Sequence, residues 1–132
     1  MVIFDSSILI DQLRTGCHAQ RMATLDGLVR HSAVVLAELG RGASTHAERV
    51  FLRNLERKYP IFTPTEKNWL ESGQILGKMQ RDHGFDPRKL RNLHFDVLIA
   101  LTARTIGAKL ITSNRADFEL IRGYRDFELE VW

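Results

Sequence analysis

Residues 94–121 read HFDVLIALTARTIGAKLITSNRADFELI, and the interpretation of this stretch decides the predicted fold. Its first half carries apolar side chains every three or four positions, which is the pattern of a helix that buries one face, and Gly107 ends that helix. Residues 108–111 form a short apolar run typical of a buried strand, and a second short helix follows. Asp96 is predicted in the first turn of the long helix and Asp117 at the start of the short one. Both acids would then lie at ends of elements, where an open α/β sheet binds its ligands.

The beginning of the chain predicts a strand, an acid and a helix in that order. Val2–Phe4 is a short apolar run that favours a strand, and Asp5 follows it directly. Ser6 or Ser7 can cap the next helix, which should close before Gly16. An acid in this place either belongs to a site at the carboxyl end of the strand or only caps the helix, and local evidence leaves both interpretations open.

Glu38 is an unusual acid because its sequence neighbours are apolar. We expect an amphipathic helix over residues 19–30, and then, within residues 31–42, a brief strand followed by a helix that glycines terminate. On that helix Glu38 would be at least partly buried. A buried carboxylate is costly unless it is paired, protonated or bound to a metal. The alternative is that its side chain reaches water from the polar side of the helix.

The remaining elements follow from caps and short apolar runs. Residues 83–92 contain glycine, proline and charges without an apolar period, so we predict a loop there. Arg88, Lys89 and Arg91 in that loop could contact a polyanion or simply be solvated. The other predictions are a helix from the Thr45 and Glu48 capping box to about Tyr59, a strand at residues 61–63, a helix with Thr63 as N-cap to about Asp82, a cap at Ser113 or Asn114, and an edge strand from Tyr124.

Helices that alternate with short apolar strands predict an α/β fold with three layers, in which helices cover both faces of a short, mostly parallel sheet. A length of 132 residues with 44% hydrophobic content predicts one domain over residues 1–132. Right-handed crossovers place the carboxyl ends of parallel strands at one edge. That edge would bring together Asp5, Asp96 and Asp117, and Glu38 would reach it from its helix.

The bulk composition excludes some classes of protein. The single Cys17 rules out an internal disulfide, and no apolar run approaches the roughly twenty residues of a membrane span. The N-terminus lacks the pattern of a secretion signal, so we expect a cytoplasmic protein with no membrane partner. The net charge of +3 is weak evidence for a nucleic-acid partner, although arginine outnumbers lysine and suits bidentate phosphate contacts.

Several carboxylates at one place predict a hard divalent cation, because like charges raise one another's pKa and a cation relieves their repulsion. The five histidines show no metal-binding spacing, so Mg²⁺ or Mn²⁺ is favoured over zinc or copper. Magnesium that is held by few carboxylates usually also binds substrate phosphate and activates water. Hydrolysis of a phosphodiester is therefore the expected reaction, with basic residues around the rim holding the flanking backbone.

Four segments of the chain, in this order, resemble the PIN-domain ribonucleases and specifically the VapC-type toxins of toxin–antitoxin pairs. They are VIFDSSILID, VVLAELGRG, FDVLIALTA and LITSNRADF, and together they extend over essentially the whole chain. The resemblance implies that Asp5, Glu38 and Asp96 are catalytic, metal-binding acids.

The resemblance implies less about the fourth polar position, because the family carries an acid at either of two places in this turn. Here the two places hold Asn114 and Asp117. We favour Asp117 as the catalytic, metal-binding acid and Asn114 as a neutral contact to the site or the substrate. Ser6 resembles the small hydroxyl residue that orients water in the family, and Phe95 is bulkier than the residue expected before Asp96.

The resemblance also implies a function and partners. It predicts a Mg²⁺- or Mn²⁺-dependent endoribonuclease toxin that hydrolyses RNA, forms a homodimer and binds a cognate antitoxin in the acidic site. One alternative is a catalytically inactive PIN-fold module that binds RNA or protein. Another is a phosphate-transfer enzyme with Asp5 as nucleophile, but the second aspartate usual in such enzymes is replaced by Ser7.

Overall fold

The computed structural model describes residues 1–132 and contains five strands and seven α-helices. The strands are β1 (Val2–Phe4), β2 (Val29–Ser32), β3 (Ile61–Phe62), β4 (Lys109–Thr112) and β5 (Leu129–Val131). The helices are α1 (Ser6–Thr15), α2 (Ala19–Ala23), α3 (Ala33–Gly42), α4 (His46–Lys58), α5 (Glu66–His83), α6 (Pro87–Thr105) and α7 (Arg115–Arg122).

All five strands belong to one parallel sheet in the order β3-β2-β1-β4-β5. β1 is central, and Val2 lies opposite both Val29 of β2 and Lys109 of β4. Because the chain winds outward from β1 in both directions, the order of strands reverses between β1 and β4, and the carboxyl ends of these two strands form a crevice there. The predicted α/β fold with a parallel sheet is confirmed.

The core surrounds the central strands and the helix α6. All three residues of β1 are buried, as expected of a strand that is covered on both faces. Ile3, Leu110 and Ile99 are fully buried from three different elements and belong to one apolar cluster. This packing fixes β1, β4 and α6 relative to one another and therefore fixes the polar side chains at their ends.

The predicted loop over residues 83–92 is wrong, because α5 continues to His83 and α6 already begins at Pro87. Asp86 is the N-cap of α6 and its side chain accepts a hydrogen bond from the backbone N–H of Lys89. Proline suits the first helical position, since it has no N–H to satisfy there. Asp96 consequently lies in the middle of a helix of 19 residues and not in its first turn.

Two further boundaries differ from the prediction. The helix expected over residues 19–30 ends at Ala23, and β2 begins at Val29. Gly27 lies between them with a φ of 130°, a conformation that favours glycine and is not helical. The N-cap of α5 is Thr65, which shares a capping box with Asn68, so the prediction of Thr63 was wrong by two residues.

Other local signals are confirmed. Thr45 and Glu48 form the predicted capping box, Gly16 closes α1 in the left-handed conformation, and Asn114 caps α7. The final strand lies at the edge of the sheet as expected, although it is shorter than the predicted run from Tyr124. None of the helices has the length and apolar character that crossing a bilayer requires.

Candidate functional site

Asp5 lies where β1 ends and α1 begins, and it is only 3% exposed. It occupies the N-cap position, but its side chain makes no capping hydrogen bond, so capping does not explain the acid. Oδ2 accepts hydrogen bonds from Ser7 Oγ at 2.8 Å and Thr112 Oγ1 at 2.9 Å. Oδ1 is buried without a partner. One oxygen is thus held by the protein and the other is left free.

Glu38 reaches the same crevice from α3. Ser6 Oγ donates a hydrogen bond of 3.3 Å to Oε2, whereas Oε1 is buried without a partner, so this oxygen does not extend into water. Burial raises the pKa of Glu38 above its ordinary value, and the negative charge of Asp5 raises it further. The hydrogen bond from Ser6 and the charge of Arg41 act in the opposite direction.

Asp96, half-buried on α6, is the most strongly perturbed acid of the site. Its pKa is raised from 3.8 to about 8, mainly because of burial and further because of the negative charges of Asp5, Glu38 and Asp117, in that order. The positive charge of Lys89 opposes it. The structure therefore brings all four predicted acids into one electrostatic neighbourhood, since each of the other three acts on Asp96.

Asn114 and Asp117 lie together at the start of α7. Asn114 Nδ2 donates to Asp117 Oδ2 at 3.1 Å, and the backbone N–H of Asp117 donates to Asn114 Oδ1 at 3.4 Å. The backbone N–H of Asn114 also donates to Thr112 Oγ1 at 2.9 Å, which in turn contacts Asp5. Both candidates for the fourth position are hence parts of one hydrogen-bonded network, in which Asn114 orients the carboxylate of Asp117.

Lys89 forms an ion pair with an acid of the site, whereas the sequence predicted only contact with a polyanion or with solvent for this residue. Its Nζ lies 2.7 Å from Asp117 Oδ1, while Arg88 and Arg91 are exposed on the same helix. The signal that could have identified it is the Asp86–Pro87 start of α6. With the helix begun there, Lys89 precedes Asp96 by two turns and lies on the same helical face.

The donor set fits a hard divalent cation. Two buried carboxylate oxygens, Asp5 Oδ1 and Glu38 Oε1, have no partner, and the negative charges of both acids add to the effect of burial in raising the pKa of Asp96. Oxygen ligands of this kind are those that Mg²⁺ and Mn²⁺ prefer. No three acidic, histidine or cysteine side chains are arranged as a complete metal-binding group, so a cation would have to draw the carboxylates closer together.

A groove between α1, α3 and α4 adjoins the acids. It has a volume of about 450 Å³, and Glu38 is part of its wall. Most of the other lining side chains are apolar, among them Leu13, Leu39 and Phe51. We call this surface the helical groove. It offers an apolar segment a place to bind next to the carboxylates.

The family model described as "PIN domain" matches residues 2–123. A comparison with curated protein sequences found no match.

Solved structures share the fold at low sequence identity. VapBC2 from Rickettsia felis, bound to a DNA fragment from its promoter, superposes with a TM-score of 0.74 at 22% identity, over 100% of this chain and 99% of that chain. FitAcB from Neisseria gonorrhoeae superposes with a TM-score of 0.70 at 20% identity, over 98% of this chain and 96% of that chain. VapC20 of Mycobacterium tuberculosis, a toxin that cleaves the sarcin-ricin loop, superposes with a TM-score of 0.57 at 18% identity, over 83% of this chain and 85% of that chain.

Proposed function

The chain belongs to the PIN domain family, and from this premise we propose that it is a metal-dependent endoribonuclease and the toxin of a toxin–antitoxin pair. The observation that carries the proposal is the buried, partnerless Oδ1 of Asp5 among three further acids at the crevice between β1 and β4. A folded protein keeps such an uncompensated group where it is used. The likeness to VapBC2 and to the RNA-cleaving toxin VapC20 supports this choice of activity.

Asp5, Glu38 and Asp96 would hold the Mg²⁺ or Mn²⁺, with Asp117 completing the site. When bound, the cation supplies a Lewis acid for the phosphate and lowers the pKa of a water. Ser7 and Thr112 hold Oδ2 of Asp5 by hydrogen bonds, so Oδ1, which has no partner, would be the oxygen that binds the cation.

The remaining polar residues would orient the acids and the substrate. Ser6 holds one oxygen of Glu38 through its hydroxyl, and Asn114 together with Lys89 holds Asp117. Arg88 and Arg91, exposed on the turn of α6 next to Lys89, would contact backbone phosphates of the RNA outside the crevice.

We infer an antitoxin as protein partner, because a toxin–antitoxin complex from Klebsiella pneumoniae shares the fold of this chain with a TM-score of 0.65. An apolar segment of the antitoxin would lie in the helical groove and place a basic residue at Glu38. The family resemblance further suggests that this single-domain protein acts as a homodimer in the cytoplasm.

The test is cleavage of labelled single-stranded RNA by the wild-type protein and by Asp5→Asn, with Mg²⁺ and with EDTA. We expect the substitution to reduce the rate at least about 100-fold, since the loss of a cation ligand removes several kcal/mol of charge stabilisation in the transition state. Asp26→Asn is the matched control, because Asp26 is an exposed aspartate outside the site. A folded Asp5→Asn protein that cleaves RNA at the wild-type rate would show that the assignment is wrong.

A catalytically inactive binding module is the second candidate. It is favoured by two observations, namely that no three side chains form a complete metal-binding group and that Lys89 neutralises Asp117. Calorimetric titration with Mn²⁺ separates the two candidates. The enzyme should bind Mn²⁺ at millimolar concentration or below, whereas the inactive module should give no binding heat.

A further inference from the structure

A second groove lies beside the acids and shares Glu38 with the helical groove. Its volume is about 370 Å³, and Arg41, Pro64, Trp69 and Phe95 line it together with Glu38. We call it the aromatic groove. Trp69 is 51% exposed and Phe95 is 38% exposed, although aromatic side chains of this size are normally covered. A cluster of exposed apolar side chains of this kind marks a binding surface.

The aromatic rings of this groove are held in place by their neighbours. The ring of Trp69 packs edge-to-face on His94, with ring centroids 5.8 Å apart. His94 Nε2 in turn forms a hydrogen bond of 3.1 Å with Ser72 Oγ, and Ser72 is buried. The guanidinium of Arg41 lies 6.0 Å from the centre of the Phe95 ring. Both rings are thus preorganised, so a ligand that stacks on them loses little affinity to ordering.

The aromatic groove is continuous with the acidic site. Glu38 belongs to both, and Phe95 directly precedes Asp96 on α6. Arg41 places a positive charge at this border, where it also lowers the pKa of Glu38. A ligand that extends from the carboxylates into the groove would therefore meet a guanidinium first and aromatic faces next.

We propose that the aromatic groove is a nucleobase subsite, in which an unpaired base next to the scissile phosphate stacks on Trp69 and Phe95. Arg41 contacts the flanking phosphate. This inference rests on the proposed function and specifies the substrate as single-stranded at that position. A volume of about 370 Å³ is at the lower end of the ~300–1,000 Å³ typical of ligand pockets and suits one base. Aromatic side chains beside basic ones are the usual means of binding single-stranded nucleic acid.

The experiment measures RNA binding in the Asp5→Asn protein, in which cleavage is removed, with Trp132→Phe added so that Trp69 is the only tryptophan. Single-stranded oligoribonucleotides should quench the fluorescence of Trp69, whereas an abasic oligomer of the same length should not. Trp69→Ala should weaken binding of the base-containing RNA roughly 10- to 100-fold and should leave binding of the abasic oligomer unchanged. Trp69→Phe should restore most of the affinity, and Phe95→Ala is an independent second variant.

Leu70→Ala is the matched control, because Leu70 is 66% exposed on the same helix but does not line the groove. It should bind RNA like the parent protein. Equal RNA affinity of the parent and Trp69→Ala would overturn the proposal. So would a Trp69→Ala protein that changes its oligomeric state in sedimentation while its RNA affinity stays the same, since the groove would then be an interface between copies.

The outcomes also separate this inference from the proposed function. The base subsite alone would be refuted if the wild-type protein cleaves RNA in Mg²⁺, but RNA does not quench the fluorescence of Trp69 and Trp69→Ala does not weaken RNA binding. Wild-type protein that neither cleaves nor binds any RNA would refute the proposed function and the subsite together.

Discussion

Replacing Asp96 with asparagine should stabilise the folded protein at pH 8 in the absence of divalent metal. The pKa of this carboxyl is raised from 3.8 to about 8 in the folded state. Between these two values the folded protein keeps a proton that the unfolded chain has released. Stability therefore falls as the pH rises through this window, and asparagine removes that dependence because it does not titrate.

The size of the stabilisation by Asp96→Asn follows from the pKa shift of Asp96. One pKa unit corresponds to about 1.36 kcal/mol, so the shift of Asp96 sets an upper limit of about 5 kcal/mol at pH 8. Relaxation of the protein and water around a half-buried group reduces this value, and we expect a gain of about 2–4 kcal/mol. At roughly 3 °C per kcal/mol for a domain of this size, the melting temperature should rise by about 6–12 °C.

Thermal unfolding in EDTA at pH 5 and pH 8 is the assay, with Asp26→Asn as the matched control that changes an exposed aspartate. The gain from Asp96→Asn should be at least about twice as large at pH 8 as at pH 5, because most of the titration window lies between these values. Added Mg²⁺ should reduce the difference in melting temperature between Asp96→Asn and wild type, since Mg²⁺ stabilises the folded wild-type protein by binding to its carboxylates. A variant that is no more stable than wild type at pH 8, or equally stabilised at both pH values, would refute the electrostatic reasoning.

Three other substitutions test the network around the site. Lys89→Met should raise the pKa of Asp96 further, because it removes the positive charge that lowers this pKa. NMR titration of the Asp96 carboxyl carbon measures the change, and a pKa that falls or stays the same would contradict the expectation. Thr112→Val removes a hydrogen bond to Asp5 and should cost roughly 1–3 kcal/mol in urea unfolding, whereas an unchanged midpoint would mean that the bond contributes nothing. Asp86→Ala removes the N-cap of α6 and should lower the free energy of unfolding by about 1 kcal/mol without changing Mn²⁺ affinity. Weaker Mn²⁺ binding would show that Asp86 also contributes to the acidic site.

The sheet and most caps were predictable because their signals are local. β1 and β4 are short apolar runs that end at polar residues, and the Thr45 capping box is a pattern within four positions. The parallel arrangement followed from the alternation of strands and helices. The same logic placed the acids at one crevice, and the shared influence of Asp5, Glu38 and Asp117 on Asp96 agrees with that expectation.

The start of α6 was not recognised because the sequence after Asp86 is dominated by charges, and its apolar period is too short to stand out. Leu93 is fully buried there, but this becomes apparent only when α5 packs against α6. The error at this boundary also hid the ion pair between Lys89 and Asp117, since a residue in a loop has no defined direction. The relation between Asn114 and Asp117 depends on side-chain hydrogen bonds within one turn, which no spacing rule specifies.

The pairing of β1 with β4 also has a kinetic meaning. Thr112 and Asp5 touch although 107 positions separate them along the chain. Closing a loop of this length costs conformational entropy before any contact offsets it, so contacts of this kind form slowly in folding. Fragments that end before β4 lack both Thr112 and Asp117, so they contain no assembled acidic site.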